Sequence, residues 1–172
     1  MPKVHCAYDE MVDIVKVVPN PKNPNTHSDK QIELLAKIID YQGWRAPITV
    51  SKRSGFVVRG HGRLLAAEAL GLEKVPVDYQ DYENEAEEWA DLIADNRIAE
   101  LSELDDGLLK DLIEELETSE IDLDLTGFNE EELESITTEI NVDDFFYETD
   151  EGGKDNSKNE IVCPNCGEVI NQ

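Results

Sequence analysis

The chain has 172 residues, 40 of them acidic against 15 basic, for a formal charge of −25, with 40% apolar and 32% charged residues. This composition supports one compact domain with extensions and excludes a uniform nucleic-acid binder, which needs a high pI and a basic stripe. No apolar run approaches the roughly 18 residues of a membrane span. Asp9, Glu10 and Asp13 interrupt any signal-peptide core, so a soluble cytoplasmic protein is expected.

In chain order, residues 10–18 (EMVDIVKVV) alternate as a strand does, with Val12, Ile14 and Val17 apolar. Three prolines in Pro19-Asn-Pro-Lys-Asn-Pro-Asn25 end it as a polar loop. Ser28 and Gln31 form a capping box, Ile32, Leu35, Ala36 and Ile39 follow on one helical face, and Gly43 stops the helix, which spans about 28–42. Pro47–Val50 and Phe56–Arg59 read as strands around an Arg53-Ser54-Gly55 turn. Gly60-His61-Gly62-Arg63 then leads directly into the helix formers Leu64–Leu70, stopped by Gly71. Val75–Tyr79 is a further strand, and Pro76 suggests that it lies at a sheet edge.

From Glu83 the chain turns helical and acidic. Trp89, Leu92, Ile93 and Asn96 share one face, as do Ile98, Leu101 and Leu104, and Leu108, Leu109, Leu112, Ile113 and Leu116 form another stripe. Leu125–Phe128 interrupts the pattern, and Asn129 with Glu132 makes a second capping box. Residues 141–160 lack periodicity and read as a disordered linker, with Phe145, Phe146 and Tyr147 as a docking point inside it. The charge divides sharply: residues 1–72 carry ten bases and seven acids, and residues 73–172 carry five bases and 33 acids. Such asymmetry points to two jobs, and only the first half tolerates a phosphate backbone.

The strand–Gly60-His61-Gly62-Arg63–helix turn is the first chemical candidate. A helix N-terminus offers unpaired amides and the positive end of its dipole to an anion. Arg63 adds a planar fork suited to phosphate oxygens, and His61 is a donor or proton shuttle near neutral pH. The plainer alternative is a tight turn with Arg63 on solvent. No third glycine completes a dinucleotide fingerprint, because Leu65 holds that place, and there is no Walker loop. The second candidate is Asp95-Asn96-Arg97, of which a helix aims one or two into any one site. The third is Cys163-Pro-Asn-Cys166-Gly, half of a zinc ribbon. Its two thiolates need two more ligands, from a second chain in a homodimer or from His5 and Cys6. The alternative is an unmetallated tail.

On these residues the sequence resembles the ParB/sulfiredoxin superfamily in its ParB-like N-terminal ("ParB-like nuclease") form, closest to the version preceding phage-type DNA modification methyltransferases. The matching text is Asn20–Pro24 with His27-Ser28, Gln31–Tyr41, Pro47–Val50, Val58–Leu72, Val75–Val77, Ile93–Arg97 and Leu123–Phe128. The resemblance implies an α+β fold, a small mixed sheet with helices, whose Gly60–Arg63 turn takes a nucleotide or nucleic-acid phosphate. In partition proteins that turn binds cytidine triphosphate and carries two adjacent arginines. Here Arg63 matches one, His61 and Gly62 replace the residues before it, and Asn25 stands where the early loop usually has arginine. In sulfiredoxins the turn holds a catalytic cysteine, and His61 fills that slot here. No methylase motif occurs, and no helix-turn-helix domain is recognised after the core, where the Cys-x-x-Cys tail sits instead.

The expected organisation is a ParB-like core over 10–80, an acidic helical extension over 83–137, a linker over 141–160 and a zinc-knuckle-like tail over 161–172. The expected function is a stand-alone module binding a nucleotide or DNA through Gly60, His61, Gly62, Arg63, Asn23 and Asn25. It would be accessory to DNA modification, with a DNA methyltransferase as partner, and would accompany Mg²⁺ when a nucleotide is bound. The first alternative is an enzyme on the same fold, a nuclease, nucleotidase or small-molecule kinase, using His61, Glu68, Asp95, Asn96 and Arg97. The second is an acidic interaction protein that binds a basic partner through its 73–172 half.

Overall fold

The structure is a computed structural model that describes residues 1–138, 161, 162, 169 and 170. The chain forms two units, Met1–Thr138 and Glu139–Gln172.

In the first unit, β1 (Glu10–Asp13) is shorter than the alternation predicts, because Ile14–Lys16 coil into a 3-10 turn closed by Val17 N–H to Ile14 C=O at 3.0 Å. β1 runs antiparallel to β4 (Lys74–Gln80) from Glu10 opposite Val77 to Asp13 opposite Lys74. Beyond Asp13 the pairing with this side of the sheet ends on Ile14 N–H to the Glu73 carbonyl at 2.9 Å, and Val18 makes an isolated parallel bridge to Phe56. β2 (Ile48–Ser51) lies parallel to β4 on its other side, and β3 (Val57–Arg59) closes the sheet antiparallel to β2. The order β1-β4-β2-β3 puts β4 inside the sheet, so Pro76 does not mark an edge. Its pairing with β2 begins only at Val77. The proline therefore sits at the end of one ladder, where a missing amide is tolerated.

α1 (Asp29–Gln42) starts where expected, with Ser28 Oγ accepting from Gln31 N–H at 3.2 Å. The reciprocal half of that capping box is absent, because Gln31 Oε1 pairs with His27 Nδ1 at 3.1 Å instead. At Gly43 (φ 75°) the N-terminal segment crosses so closely that a Cβ would stand 2.4 Å from the Lys3 carbonyl oxygen. α1 and α2 (His61–Ala69) pack together over the sheet. Ile39, Trp44, Ile48, Val57, Leu64, Ala67, Val75 and Val77 lie in the core between them. Apolar burial of this kind is the main term holding such a layer together.

α3 (Glu85–Glu100) buries only two of its residues, Glu88 and Leu92, and Ile93 from the predicted face is exposed. α4 (Asp106–Glu117) turns Ile113 inward, and α5 (Glu130–Thr137) turns Leu133 inward. Ile98, Leu101, Leu104, Leu108 and Leu112, from the apolar faces of the sequence, are exposed. The Asn129–Glu132 capping box forms in both directions, at 3.0 and 2.8 Å. Between α4 and α5, Leu123–Thr126 forms a 3-10 turn that docks on α1, with Lys37 reaching Asp122 at 2.7 Å and Asp124 at 2.8 Å. Among the described residues no helix is long and apolar enough to cross a membrane.

In the second unit, β5 (Ile161–Val162) pairs antiparallel with β6 (Val169–Ile170). The expected linker, its Phe145–Tyr147 segment and the Cys163/Cys166 pair lie outside the described residues.

Candidate functional site: a cleft at the N-terminus of α2

Gly60 caps α2 in the left-handed region, at φ 89° and ψ 29°, a conformation glycine adopts at little cost. This bend turns the chain from β3 into α2 within one residue. The first intrahelical bond runs from Leu64 N–H to Gly60 C=O at 3.0 Å. The amides of His61, Gly62 and Arg63 therefore precede the helical ladder, where a helix presents unpaired donors. Gly62 leaves room for its neighbours: a Cβ there would meet Leu35 Cδ1 at 3.0 Å and His27 Cε1 at 3.2 Å.

Arg63 does not lie on solvent. Its guanidinium folds back over Gly60, where a Cβ would be 2.8 Å from Nη2, and Nη2 donates to the Pro47 carbonyl at 3.0 Å. Its Nε is buried with no hydrogen-bond partner. Burial lowers the Arg63 pKa from its ordinary value, partly opposed by the charge of Asp95. His61 is also buried, and its Nε2 accepts from Asn20 N–H at 3.2 Å. That bond requires an unprotonated Nε2. Burial and the neighbouring His27 accordingly lower the His61 pKa, against a raising effect from Asp95. Asn20 Oδ1 in turn accepts from Lys22 N–H at 2.9 Å, and Lys22 Nζ stands 3.6 Å from the centre of the Trp89 ring on α3. The proline-rich loop is thus tied to the turn at one point and to α3 at another.

These elements enclose a cleft of about 160 Å³ lined by Gly60, His61, Gly62, Arg63, Asn23, Asp95 and Asn96, with His27, Leu35 and Val58 completing the wall. Asn25 borders an adjoining pocket of about 250 Å³ that shares Asn23, His27 and His61. Asn96 donates one amide hydrogen to the Leu92 carbonyl at 3.0 Å and keeps the second. Two predicted residues stand elsewhere. Arg97 points outward and pairs with Glu100 at 2.7 Å, and Glu68 is exposed further along α2. His5 is exposed and lines a wider groove of about 670 Å³ with Lys3, Asp40 and Arg45. Cys6 is partly buried against the core. Among the described residues no group of three or more His, Cys, Asp or Glu is placed to hold a metal ion.

Sequence reasoning did not nominate His27, Asn20 or the contacts that hold α3. The sequence signal for His27 was its place one residue before the helix cap. Glu88 gave none, because it reads as one acid among many. In the structure it is 1% exposed and bonded to Ser51, Arg53 and Ser54. Arg59, the last residue of β3, donates to Asp91 and lies 3.8 Å from Asp95. Burial raises the Asp91 pKa, but the hydrogen bonds from Arg59 and Tyr82 outweigh it and hold the carboxyl below the usual carboxylate range.

The family model of the ParB N-terminal domain matches residues 4–96, the span that builds the sheet, the turn and most of α3. The chain belongs to the ParB N-terminal domain family. Another model, the ParB-methyltransferase HTH domain, matches residues 107–164. That match overturns the expectation that no helix-turn-helix segment follows the ParB-like core. The segment escapes recognition because Asp105–Thr138 carries one base against 13 acids, with none of the basic surface by which DNA-reading helices are spotted.

Among curated relatives, the ParB-like nuclease domain-containing protein YnaK of Escherichia coli is 39% identical over 59 residues, 34% of this chain and 67% of that protein. A ParB-like protein of Sulfolobus acidocaldarius is 33% identical over 81 residues, 44% of this chain and 41% of that one. Among solved structures, the C-terminally truncated chromosome-partitioning protein ParB from Caulobacter crescentus, complexed with CTP-gamma-S, aligns with a TM-score of 0.53. Its identity is 20%, over 74% of this chain and 69% of that one. The mixed sheet with its helices is thus a ParB-like fold.

Proposed function

We propose that this ParB-like chain binds the phosphate chain of a nucleotide in the cleft between the Gly60–Arg63 turn and α3, as an accessory to DNA modification or another DNA transaction. The observation that carries the reading is the Gly60–Arg63 turn on the cleft wall, where the amides of His61, Gly62 and Arg63 precede the helical ladder and the buried Arg63 Nε, lying over Gly60, has no partner. A buried donor without an acceptor costs free energy, and a phosphate oxygen in the cleft would supply one. The Caulobacter protein of similar fold, solved with CTP-gamma-S, supports a cytidine nucleotide as the first ligand to test. Asp95 is the carboxylate beside the cleft, so Mg²⁺ would arrive with the nucleotide and be held chiefly by its phosphates.

Calorimetry with CTP, ATP, ADP and a short DNA duplex tests this. A nucleotide should bind, and Arg63→Ala should weaken it by roughly tenfold to a hundredfold, the worth of a charge-assisted hydrogen bond. No heat from any of these ligands would remove the proposal. The name of the segment match over 107–164 supports a DNA methyltransferase as the partner.

An enzyme on the same fold is the second reading. His61 spends its Nε2 lone pair on Asn20 N–H, which leaves Nδ1–H as a donor rather than a base. Binding is therefore favoured over hydrolysis. Phosphate release or DNA cleavage with Mg²⁺ or Mn²⁺, lost in His61→Ala, would reverse that order.

A further inference from the structure

The Glu88 carboxylate lies outside the cleft, yet it is 1% exposed and fully engaged. Ser51 Oγ donates to Oε2 at 2.7 Å, Ser54 Oγ donates to Oε1 at 2.8 Å, and Arg53 approaches Oε2 with Nε at 3.2 Å and Nη2 at 3.1 Å. Ser51 Oγ also accepts from the amides of Arg53 and Ser54, at 3.2 Å each. One carboxylate thereby organises the whole turn between β2 and β3.

A buried charge of this kind is weak evidence for stability, since an apolar residue of similar size often serves as well. What it supplies is direction. Leu92 is the one apolar side chain that α3 fully buries, and apolar contact is non-directional. Trp89, half-buried beneath Lys22, and Asp91, bonded to Arg59 and Tyr82, are further holds on α3, and Glu88 is its one fully buried polar side chain. Glu88, Asp91 and Asp95 are spaced at i, i+3 and i+7, so they form one stripe along α3. Glu88 grips the β2–β3 turn, Asp91 meets Arg59 at the end of β3, and Asp95 reaches the cleft beside the turn that follows. A slip of one residue turns a helix by about 100° and would swing Asp95 and Asn96 away from the cleft.

We infer that Glu88 is a positioning residue for the cleft: by clamping the β2–β3 turn it sets the rotation of α3 and so holds Asp95 and Asn96 opposite the Gly60–Arg63 turn. The inference rests on the reading of the cleft as a nucleotide-phosphate site for its binding consequences, but not for its structural one.

The test compares the wild-type chain with Glu88→Leu, which keeps the space filled, and with Glu88→Gln, which keeps part of the hydrogen bonding. Hydrogen exchange is read at amides 92–100 and, as a control, across α1. Glu88→Leu should speed exchange at 92–100 by about tenfold with α1 unchanged, and Glu88→Gln should recover part of the protection. Calorimetry with CTP is then run on Glu88→Leu, Asn96→Ala and the double variant. Each single change should weaken binding by about tenfold, and the double variant should lose no more than either, because both remove the same contact.

Losses that multiply, or unchanged exchange at 92–100, would overturn the inference. So would equal acceleration at 92–100 and in α1, the mark of lower global stability alone. If the wild-type chain binds no nucleotide, the reading of the cleft fails, and the exchange experiment still decides whether Glu88 holds α3.

Discussion

Arg63 and His61 occupy the same turn but are held by different means, and each makes its own prediction. Arg63→Lys keeps the charge but loses the planar fork that reaches both Pro47 and the cleft. It should bind CTP nearly as poorly as Arg63→Ala, as calorimetry will show. His61 has its pKa lowered by burial from an ordinary 6.5, so the unfolded chain takes up the proton first as pH falls. The stability supplied by neutral His61 is therefore complete above about pH 6.5 and is lost as pH drops toward the depressed folded value. Melting temperature should fall between pH 7 and 5, and His61→Gln should flatten that part of the profile. Gly62→Ala should destabilise the chain by about 1–3 kcal/mol in urea unfolding, because its methyl would press on Leu35 and His27. The turn itself was legible in the sequence, since a glycine-flanked switch from strand to helix is a local signal. The partition among Asp95, Asn96 and Arg97 was not. Successive residues on a helix face different ways, and the contacts that chose Asp95 and Asn96 for the cleft come from Glu88 and Leu92, packed against distant parts of the chain.

Among the elements, those with local caps were the readable ones. α1 begins at Ser28 and α5 at Asn129 as their cap residues dictate. Asn129→Ala should cost about 1 kcal/mol and lower the urea midpoint of the α4–α5 segment while leaving the cleft unchanged. The length of β1 and the interior place of β4 were hidden, because strand pairing is decided by partners far along the chain. The exposed leucines of α4 misled for a related reason: helical spacing reports a face, and says nothing of whether another element covers it. The α4–α5 segment is held to α1 partly through Lys37 and its two aspartates, all solvent-exposed. Such pairs are screened by salt. Lys37→Met, or added salt, should speed hydrogen exchange in residues 121–128 without touching the sheet.

Over the whole molecule, the charge division near residue 72 falls inside the ParB-like span, which reaches into the acidic half for Asp95 and Asn96 of the cleft. The ParB-like span that builds the cleft ends at residue 96, and the helix-turn-helix match falls within the acidic half. The acidic Asp105–Thr138 segment disfavours a phosphate backbone, and residues 1–72 carry the chain's net positive charge. The Cys163/Cys166 reading becomes a counting experiment. A four-thiolate site shared by two chains gives about half a zinc ion per chain with a dimer in light scattering, and a site within one chain gives about one per monomer. Cys163→Ser with Cys166→Ser should abolish either. Zinc-free protein would assign the tail no metal.

The guanidinium of Arg63 fills the space that any side chain at position 60 would need. Positions 60 and 63 are therefore sterically coupled. A substitution at the glycine strains the left-handed turn and also displaces the arginine, so a phenotype mapped to Gly60 combines a backbone effect with a changed Arg63. Libraries that vary the turn one residue at a time will therefore confound these two positions, and paired changes at 60 and 63 separate them.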